Sequence, residues 1–353
     1  MMDSKAIVEA ENVPRQVFLC TPARLSGINC LPVEILALIF IYVAESTTSS
    51  YSRTSTRAFP FNVASTCPFW MDILKSNPTN WKSVSIDVMD PSPFLDTLTM
   101  FTGGPIEVFV FSSIKEAESP ESDSNNSGED AQKRHENLQA HIIFRQLEPH
   151  IKRCASITFD LIFQSSLPCA TSILSRSLHY LEKLILKCLK HDVDDNKSMI
   201  EIYIDCDELA VEFEIPVLKE ISLPGYSFMQ LSEVNQGLLM NIGGEKRLSL
   251  SINQLTLQKH GIGPHNDTRT FAGFMNAIDD LDCNDLTLSN LTFGYRPERG
   301  DPSYALGWEN VKLENVSPEF ISTFFWLYRH SGLSVRPAYH AMFDSIHCSA
   351  DFG

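Results

Sequence analysis

A short alternation of apolar and polar residues returns along most of the chain. From residue 84 onward, eight segments carry it. They are "VSID" at 84, "IEVFVF" at 106, "SITFDLIF" at 156, "LEKLILKC" at 181, "VLKEISL" at 217, "NQLTLQK" at 253, "NDLTLSN" at 284 and "ENVKLEN" at 309. A period of two buries every second side chain, so each segment is predicted to be a β-strand.

Several gaps between these strands have helix-like spacing. These gaps are residues 93–101, 138–151 and 271–281. The strand cores at Leu184, Ile221, Leu255, Leu286 and Val311 lie 37, 34, 31 and 25 residues apart. Alternating strands and helices at such intervals are typical of a solenoid. The alternative is an unrelated α/β domain with widely spaced strands. The segment "SMIEIYIDC" at 198–206 is predicted to be an extra strand or a hairpin.

The N-terminal pattern is different. In "INCLPVEILALIFIYVAES", residues 28–46, the only charged side chain between Leu31 and Ala44 is Glu34. Pro32 suits a first helical turn, where its missing N–H costs nothing. A surface helix of one domain keeps a single apolar stripe. A helix that is apolar on most sides is therefore predicted to be covered on one face by its own domain and on the other by a second polypeptide. The alternative is a core helix of one single domain.

Two further short helices are predicted after a Ser/Thr-rich loop at 46–60. Because Pro68 cannot lie inside a helix, one helix should end near residues 66–67 and the next should begin at Pro68. Phe69, Trp70, Ile73 and Leu74 give the second helix an apolar face. Three helices of this size bury too little surface to be stable while the first stays exposed.

The two helical blocks resemble the F-box, in the variant common in fungal F-box proteins. The resemblance covers residues 28–85, through "LPVEILALIF" and "VASTCPFWMDILKSNPTNW". Cys67, Trp70, Pro78 and Trp81 repeat the family's Cys…Trp…Pro…Trp order. The later segments "PFLDTLTMFTGGPIEVFV" and "RQLEPHIKRCASITFD" are similar to those that usually follow such an F-box. The family often carries arginines around the Trp, whereas this chain reads "CPFWMD".

This resemblance implies a substrate-recognition subunit of an SCF-type cullin–RING ubiquitin ligase. The F-box would bind the Skp adaptor and through it the cullin, and the remaining chain would bind a protein target. The residues implied in adaptor contact are Leu31, Pro32, Ile35, Leu36, Ile39, Val63, Cys67 and Trp70. The alternative is a scaffold outside any ligase that uses F-box-like helices to hold a partner.

The repeated strands resemble leucine-rich repeats. "LEKLILKC" copies L-x-x-L-x-L-x-C, and "LTLSN" and "VKLEN" end in the asparagine that hydrogen-bonds the turn in such repeats. The predicted fold class is α/β, with a small N-terminal three-helix F-box followed by an irregular leucine-rich-repeat-like α/β solenoid. Its parts are a flexible arm at 1–27, the F-box at 28–85, and the solenoid at 86–353 with a disordered acidic insert at 115–137. The side chains expected to contact a target are Lys183, Lys187, Lys219, Thr256, Gln258, Thr287, Lys312 and Glu314.

Composition narrows the possible partners and the compartment. A net charge of −16, with no run of basic residues that would release counterions, argues against nucleic acid or an anionic membrane as the main partner. The apolar stretch at 31–43 is shorter than the ~20 residues that span a bilayer. Since the N-terminus also lacks the layout of a signal peptide, a cytoplasmic or nuclear location is predicted. The nine cysteines, which form no CxxC pair, are then expected to be reduced thiols.

No motif in the sequence predicts chemistry. GxSxG, GxGxxG, HExxH and P-loop patterns are absent from the chain. "DFG" at 351–353 lacks the other kinase motifs, and the histidines of "HGIGPH" at 260–265 are expected to be ordinary loop residues. The acidic runs at 192–195 and 279–285 lack the glycine and distal Glu of a calcium loop. The prediction is therefore a non-enzymatic protein with no catalytic, cofactor-binding or metal-binding residue.

Overall fold

The structure is a computed structural model that describes most of the chain between residues 28 and 324. The described residues are 28, 31–48, 60–89, 104–116, 126–174, 176–192, 215–234, 247–257, 271–279, 281, 283–293, 308, 310–322 and 324. The predicted arm at 1–27, the helix at 93–101 and the strand at 198–206 lie outside them.

Three helices precede the first strand in the described residues. They are α1 (Val33–Thr48), α2 (Phe61–Ala64) and α3 (Pro68–Ser76). Helix α3 begins at Pro68 as predicted, because proline suits the first turn of a helix and disfavours the turns before it. Helix α2 ends at Ala64, slightly earlier than predicted. A 3₁₀ turn at Pro78–Trp81 then leads directly into the first strand.

All eight predicted strands are confirmed. They are β1 (Ser83–Asp87), β2 (Ile106–Phe111), β3 (Cys154–Phe163), β4 (Lys183–Lys190), β5 (Glu220–Pro224), β6 (Ser249–Leu257), β7 (Asp285–Phe293) and β8 (Asn310–Glu314). They form one sheet in the order of the chain, β1 to β8, and every neighbouring pair is parallel. The chain is therefore an α/β protein with an open, eight-stranded parallel sheet.

Within the described residues, four connections between strands contain α-helices. These are α4 (Asn126–Leu147), α5 (Ala170–Leu174), α6 (Gly225–Val234) and α7 (Phe271–Asp279). Helix α4 and the 3₁₀ turn Glu148–Arg153 confirm the helix predicted at 138–151. The predicted disorder at 115–137 is wrong from residue 126 onward, because α4 begins there. Ion pairs and hydrogen bonds to β3, to β4 and to the residues that follow them hold the polar first half of α4. These contacts are with distant parts of the chain, so the local composition does not predict them.

One face of the sheet is buried by aliphatic side chains in register. One row joins Val84, Val108, Ile157, Leu184, Ile221, Leu250, Leu286 and Val311 across the eight strands. All but Val311 are fully or almost fully buried, and they form one continuous core with Ile143 of α4, Ile173 of α5, Phe228 of α6 and Phe274 of α7. This core supplies the main hydrophobic stabilisation of the sheet.

The predicted core residue of β6 is wrong by five positions in the chain. Leu250, rather than Leu255, pairs with Leu286 and continues the row. The residues in that row lie 37, 29, 36 and 25 positions apart from β4 to β8. The cause is Gln254, whose φ of 56° places it in the left-handed region and divides β6 into two alternating stretches.

Gln254, Asn290 and Asn315 occupy equivalent positions in three neighbouring strands. All three have positive φ, at 56°, 56° and 48°. The Asn315 amide Nδ2 donates a hydrogen bond of 2.6 Å to Oδ1 of Asn290. Asparagine tolerates the left-handed conformation better than most residues. These residues therefore end the regular part of each strand at the same level of the sheet.

Gly225 occupies the corresponding position after β5. At the level of Gly225, the Cys188 thiol of β4 donates a hydrogen bond of 3.0 Å to Oε1 of Gln254 in β6. Strands β4 and β6 are therefore in contact across the end of β5. The absence of a side chain at Gly225 leaves room for the Leu255 side chain. A Cβ atom there would lie 2.4 Å from Cβ of Leu255, which is closer than such atoms approach in proteins.

We expect Gly225→Ala to lower the free energy of unfolding by about 1–3 kcal/mol, because the new methyl group forces the backbone near Leu255 to move. The matched control is Gly128→Ala in α4, where a Cβ has nothing within 4 Å. Alanine favours a helix by up to about 1 kcal/mol, so the control should be neutral or more stable. Urea unfolding of both variants checks this. Equal stability of the two would contradict the close approach at Gly225.

Candidate functional site

Helix α1 has one face that packs against the chain's own core. Leu36 and Phe40 on this face are only 0% and 2% exposed. The Phe40 ring lies 5.3 Å from the ring of Trp70 on α3, between centroids. Leu74 and Trp81 belong to the same core. This inner face fixes α1 to the rest of the protein.

The opposite face of α1 is apolar and partly to largely exposed within the described part of the chain. Ile35, Leu38 and Tyr42 are spaced at i, i+3 and i+7, so they lie on one side of the helix, and Leu31 lies just before its first residue. The exposed fractions of Leu31, Ile35, Leu38 and Tyr42 are 36%, 42%, 52% and 72%. We call these four residues the outer stripe. Further apolar side chains are exposed at Val33 and Ile41 of the same helix and at Phe69 of α3.

The residues implied in partner contact divide into three groups. Leu31, Pro32 and Ile35 are exposed, and Ile39, Val63, Cys67 and Trp70 are half-buried. Leu36 is fully buried in the chain's own core, so this structure does not expose it to a partner. Leu38 and Tyr42 lie on the exposed side although the resemblance did not mark them. A helix that is apolar on most sides has no sequence signal for its outer side, so neither residue could be predicted from the pattern.

The N-terminal helices are joined to the sheet without a linker. Trp81 is 2% exposed and donates from Nε1 to the Leu74 carbonyl over 2.9 Å. Strand β1 begins two residues later, and its Val84 belongs to the same core. The helical surface and the sheet are therefore held in a fixed relation by this buried tryptophan.

The second face of the sheet carries mostly polar side chains. One of its rows joins Ser85, Phe109, Thr158, Ile185, Ser222, Ser251, Thr287 and Lys312. We call the side chains on this side the polar face. Its charges are partly paired, with Lys183 Nζ 2.6 Å from Glu220 Oε2 and Lys312 Nζ 2.5 Å from Glu314 Oε1. This face carries both hydrogen-bonding groups and ion pairs, in contrast to the aliphatic face.

Most of the residues predicted to meet a target lie on or beside the polar face. Lys183, Lys187, Thr287, Lys312 and Glu314 lie on the polar face itself. Lys219 precedes β5 and Thr256 follows the left-handed Gln254, and both are exposed. Gln258 lies outside the described residues.

A polar network at the ends of β3 and β4 was not predicted from the sequence. Glu136 of α4 is fully buried, and its carboxylate accepts hydrogen bonds of 2.9–3.2 Å from the backbone N–H groups of Ile162 and Phe163. Nearby, the Asp192 carboxylate accepts 2.8 Å and 2.5 Å bonds from the Ser165 N–H and hydroxyl. Lys133 Nζ lies 2.7 Å from the same carboxylate. The network fixes α4 over the end of the sheet.

The titration of two groups follows from these surroundings. Burial alone would raise the pKa of Asp192, but the hydrogen bonds from Lys133 and Ser165 and the Lys133 charge outweigh it and lower the pKa below its ordinary value. Burial raises the pKa of the Cys154 thiol to about 12, against the opposing charge of Arg153. Cys154 is therefore a protonated core thiol at neutral pH. Among the described residues, the cysteines at 67, 154, 169, 188 and 283 form no disulfide bond.

The comparisons with known proteins give no further assignment. The chain matches no protein-family model, no curated protein and no solved structure. Within the described residues, no helix has the length and apolarity needed to cross a membrane.

The Asp192 contacts predict a loss of stability in acid. Because the folded pKa is lowered, the contribution is fully present above the unfolded pKa, near the ordinary value of 3.8, and is lost as the pH falls through the folded pKa. We expect Asp192→Asn to destabilise the protein at pH 7 and to approach the wild type as the pH falls below that value.

Urea unfolding of both proteins across this pH range measures the effect. Asp72→Asn, which removes an exposed carboxylate on α3, controls for the change of net charge. A wild-type advantage over Asp192→Asn that stays constant into strong acid would contradict the contribution of the ionised carboxylate.

Proposed function

We propose that this protein is the substrate-recognition subunit of an SCF-type cullin–RING ubiquitin ligase. In this proposal, helices α1–α3 form an F-box that binds a Skp-type adaptor. The sheet and its helices form an irregular leucine-rich-repeat-like solenoid that binds a protein target. The observation that carries the proposal is the outer stripe, an apolar helix face that the described chain leaves uncovered.

The outer stripe favours a second polypeptide for energetic reasons. Burying a Leu or Ile side chain completely is worth about 1.5–3 kcal/mol, and these side chains are already partly covered. Covering the rest of the four side chains is therefore worth roughly 1 kcal/mol each, with the flanking Val33, Ile41 and Phe69 adding to this sum. The total offsets part of the cost of association. Without a partner, such a patch promotes aggregation.

The topology of the sheet supports the second half of the proposal. In a leucine-rich-repeat-like coil, each turn adds one parallel strand beside the previous one, as strands β1 to β8 do. The left-handed Asn290 and Asn315 lie where the resemblance places the turn asparagine of each repeat. Successive parallel strands of other α/β sheets also pair side by side, so the strand order agrees with a repeat architecture but does not distinguish it from those sheets, and it bears on no target.

The proposed mechanism requires no reacting group from this chain. Ubiquitin transfer is carried out by the conjugating enzyme and the other ligase subunits. The polar face would hold a target, and the outer stripe would hold the adaptor. Trp81 joins the two parts, which keeps a target lysine near the charged conjugating enzyme and makes its attack effectively intramolecular.

A second candidate function is a scaffold that binds a partner through α1 but recruits no cullin. Its support is the "CPFWMD" sequence, which lacks the arginines that the family often carries around this tryptophan. Trp70 itself is half-buried against Phe40, so the neighbouring Phe69 is the more exposed side chain at this point.

The triple variant Leu31→Ala/Ile35→Ala/Leu38→Ala tests the adaptor surface. We expect recovery of purified Skp-type adaptor in a pull-down to fall at least about tenfold, because the loss of several kcal/mol of apolar contact weakens binding by that factor or more. Leu189→Ala is the matched control, since Leu189 is 47% exposed on β4 and far from α1 in the chain. Equal recovery by the wild type and the triple variant would refute the assignment.

Co-purification from cells separates the two candidate functions. For a ligase subunit, we expect the tagged wild type to recover both adaptor and cullin, and the triple variant to lose both together. Adaptor recovered without cullin would support the scaffold. Recovery of neither by the wild type, with the chain shown to be folded, would count against both.

A further inference from the structure

Helix α4 has two opposite faces of contrasting chemistry. Glu136, Ala140, Ile143 and Leu147 are buried and follow the i, i+4, i+7, i+11 spacing of one helix face. Two positions earlier, Arg134, Leu138, His141 and Arg145 repeat the same spacing, and all four are exposed. Two positions correspond to about 200° around a helix, so this second set faces directly away from the core. We call it the basic stripe.

Within the described residues, the side chains of the basic stripe are exposed and make few contacts. Leu138 is 57% exposed, which is high for a large apolar side chain. Arg134 makes no ion pair with any described residue. The Arg145 side chain is 64% exposed, and its Nη1 lies 3.7 Å from Glu148, whose other carboxylate oxygen is held by Arg176. The Arg134 guanidinium and the Leu138 side chain are therefore available to a partner, whereas Arg145 is mostly exposed but keeps one long ion-pair contact with Glu148.

The charge of this stripe contrasts with that of the chain. The protein carries −16 overall, yet the four residues contain two permanent positive charges and no carboxylate. Guanidinium groups pair with carboxylates through two parallel hydrogen bonds. Arg134 and Arg145 lie eleven residues apart, or about 16 Å along the helix axis, with Leu138 between them.

We propose that the basic stripe of α4 is a docking surface for an acidic polypeptide segment. Carboxylates of the segment pair with Arg134 and Arg145, and an apolar side chain between them covers Leu138. The overall negative charge of the protein opposes such a partner at long range. Screening limits that opposition to about 8 Å at physiological salt, so the local pairs dominate once contact is made. This surface is independent of the proposed ligase function.

Fluorescence anisotropy with a labelled synthetic helical peptide tests the proposal. The probe carries Glu residues eleven positions apart with Leu between them, and the control peptide has Lys in place of Glu. We expect the full-length protein to bind the Glu peptide and not the Lys peptide. Arg134→Glu/Arg145→Glu should weaken binding by about tenfold or more, and Leu138→Ser should weaken it by a smaller factor.

The double variant Lys75→Glu/Lys82→Glu makes the same change of net charge on α3 and just before β1. It should leave binding of the Glu peptide nearly unchanged, and circular dichroism should show that all variants are folded. Absence of binding by the wild type, or equal loss in the Lys75/Lys82 variant, would overturn the proposal. So would binding only to phosphatidylserine vesicles or to duplex DNA. Light scattering that shows the stripe to be occupied by a second copy of this chain would also overturn it.

Discussion

Burial of the in-register aliphatic rows on one face of the parallel sheet is the constraint on which the structure depends. Each strand contributes at least two apolar side chains to this face, and none of the shorter strands buries enough surface alone. Neighbouring strands are consecutive in the chain. A change in the register of one strand would therefore also displace the connection that follows it. The aliphatic face therefore fixes both the order of the strands and the side on which the helices pack.

The rows also determine which surfaces remain for binding. Once every second side chain of a strand is buried, the alternate side chains must lie on the other side of the sheet, where they form the polar face. In the same way, Leu36 and Phe40 pack the inner face of α1 into the core, which leaves the outer stripe exposed. The buried face of α4 likewise turns the basic stripe outward. All three candidate surfaces are thus the reverse sides of packed elements.

The contacts outside the rows serve a different purpose. Glu136 uses its carboxylate to satisfy two backbone N–H groups of β3, and Asp192 joins β4 to α4 through Ser165 and Lys133. These interactions contribute less than the hydrophobic core. They select one position of α4 over the sheet, because a buried carboxylate that lost its donors would be strongly unfavourable. Trp81 has a comparable role between the N-terminal helices and β1.

The sequence by itself determined the eight strands, the start of α3 at Pro68 and the excess of apolar residues on α1, because alternation and proline act locally. Tertiary structure alone decided that Leu36 packs inward while Leu38 faces outward, since an all-apolar helix has no sequence signal for its inner side. It also decided that Leu250 continues the row instead of Leu255, since a single left-handed residue at Gln254 changes the phase of β6. Residues 126–137 became part of a helix for the same kind of reason. Their partners lie about 26 to 61 positions away in the chain, so no local pattern could predict them.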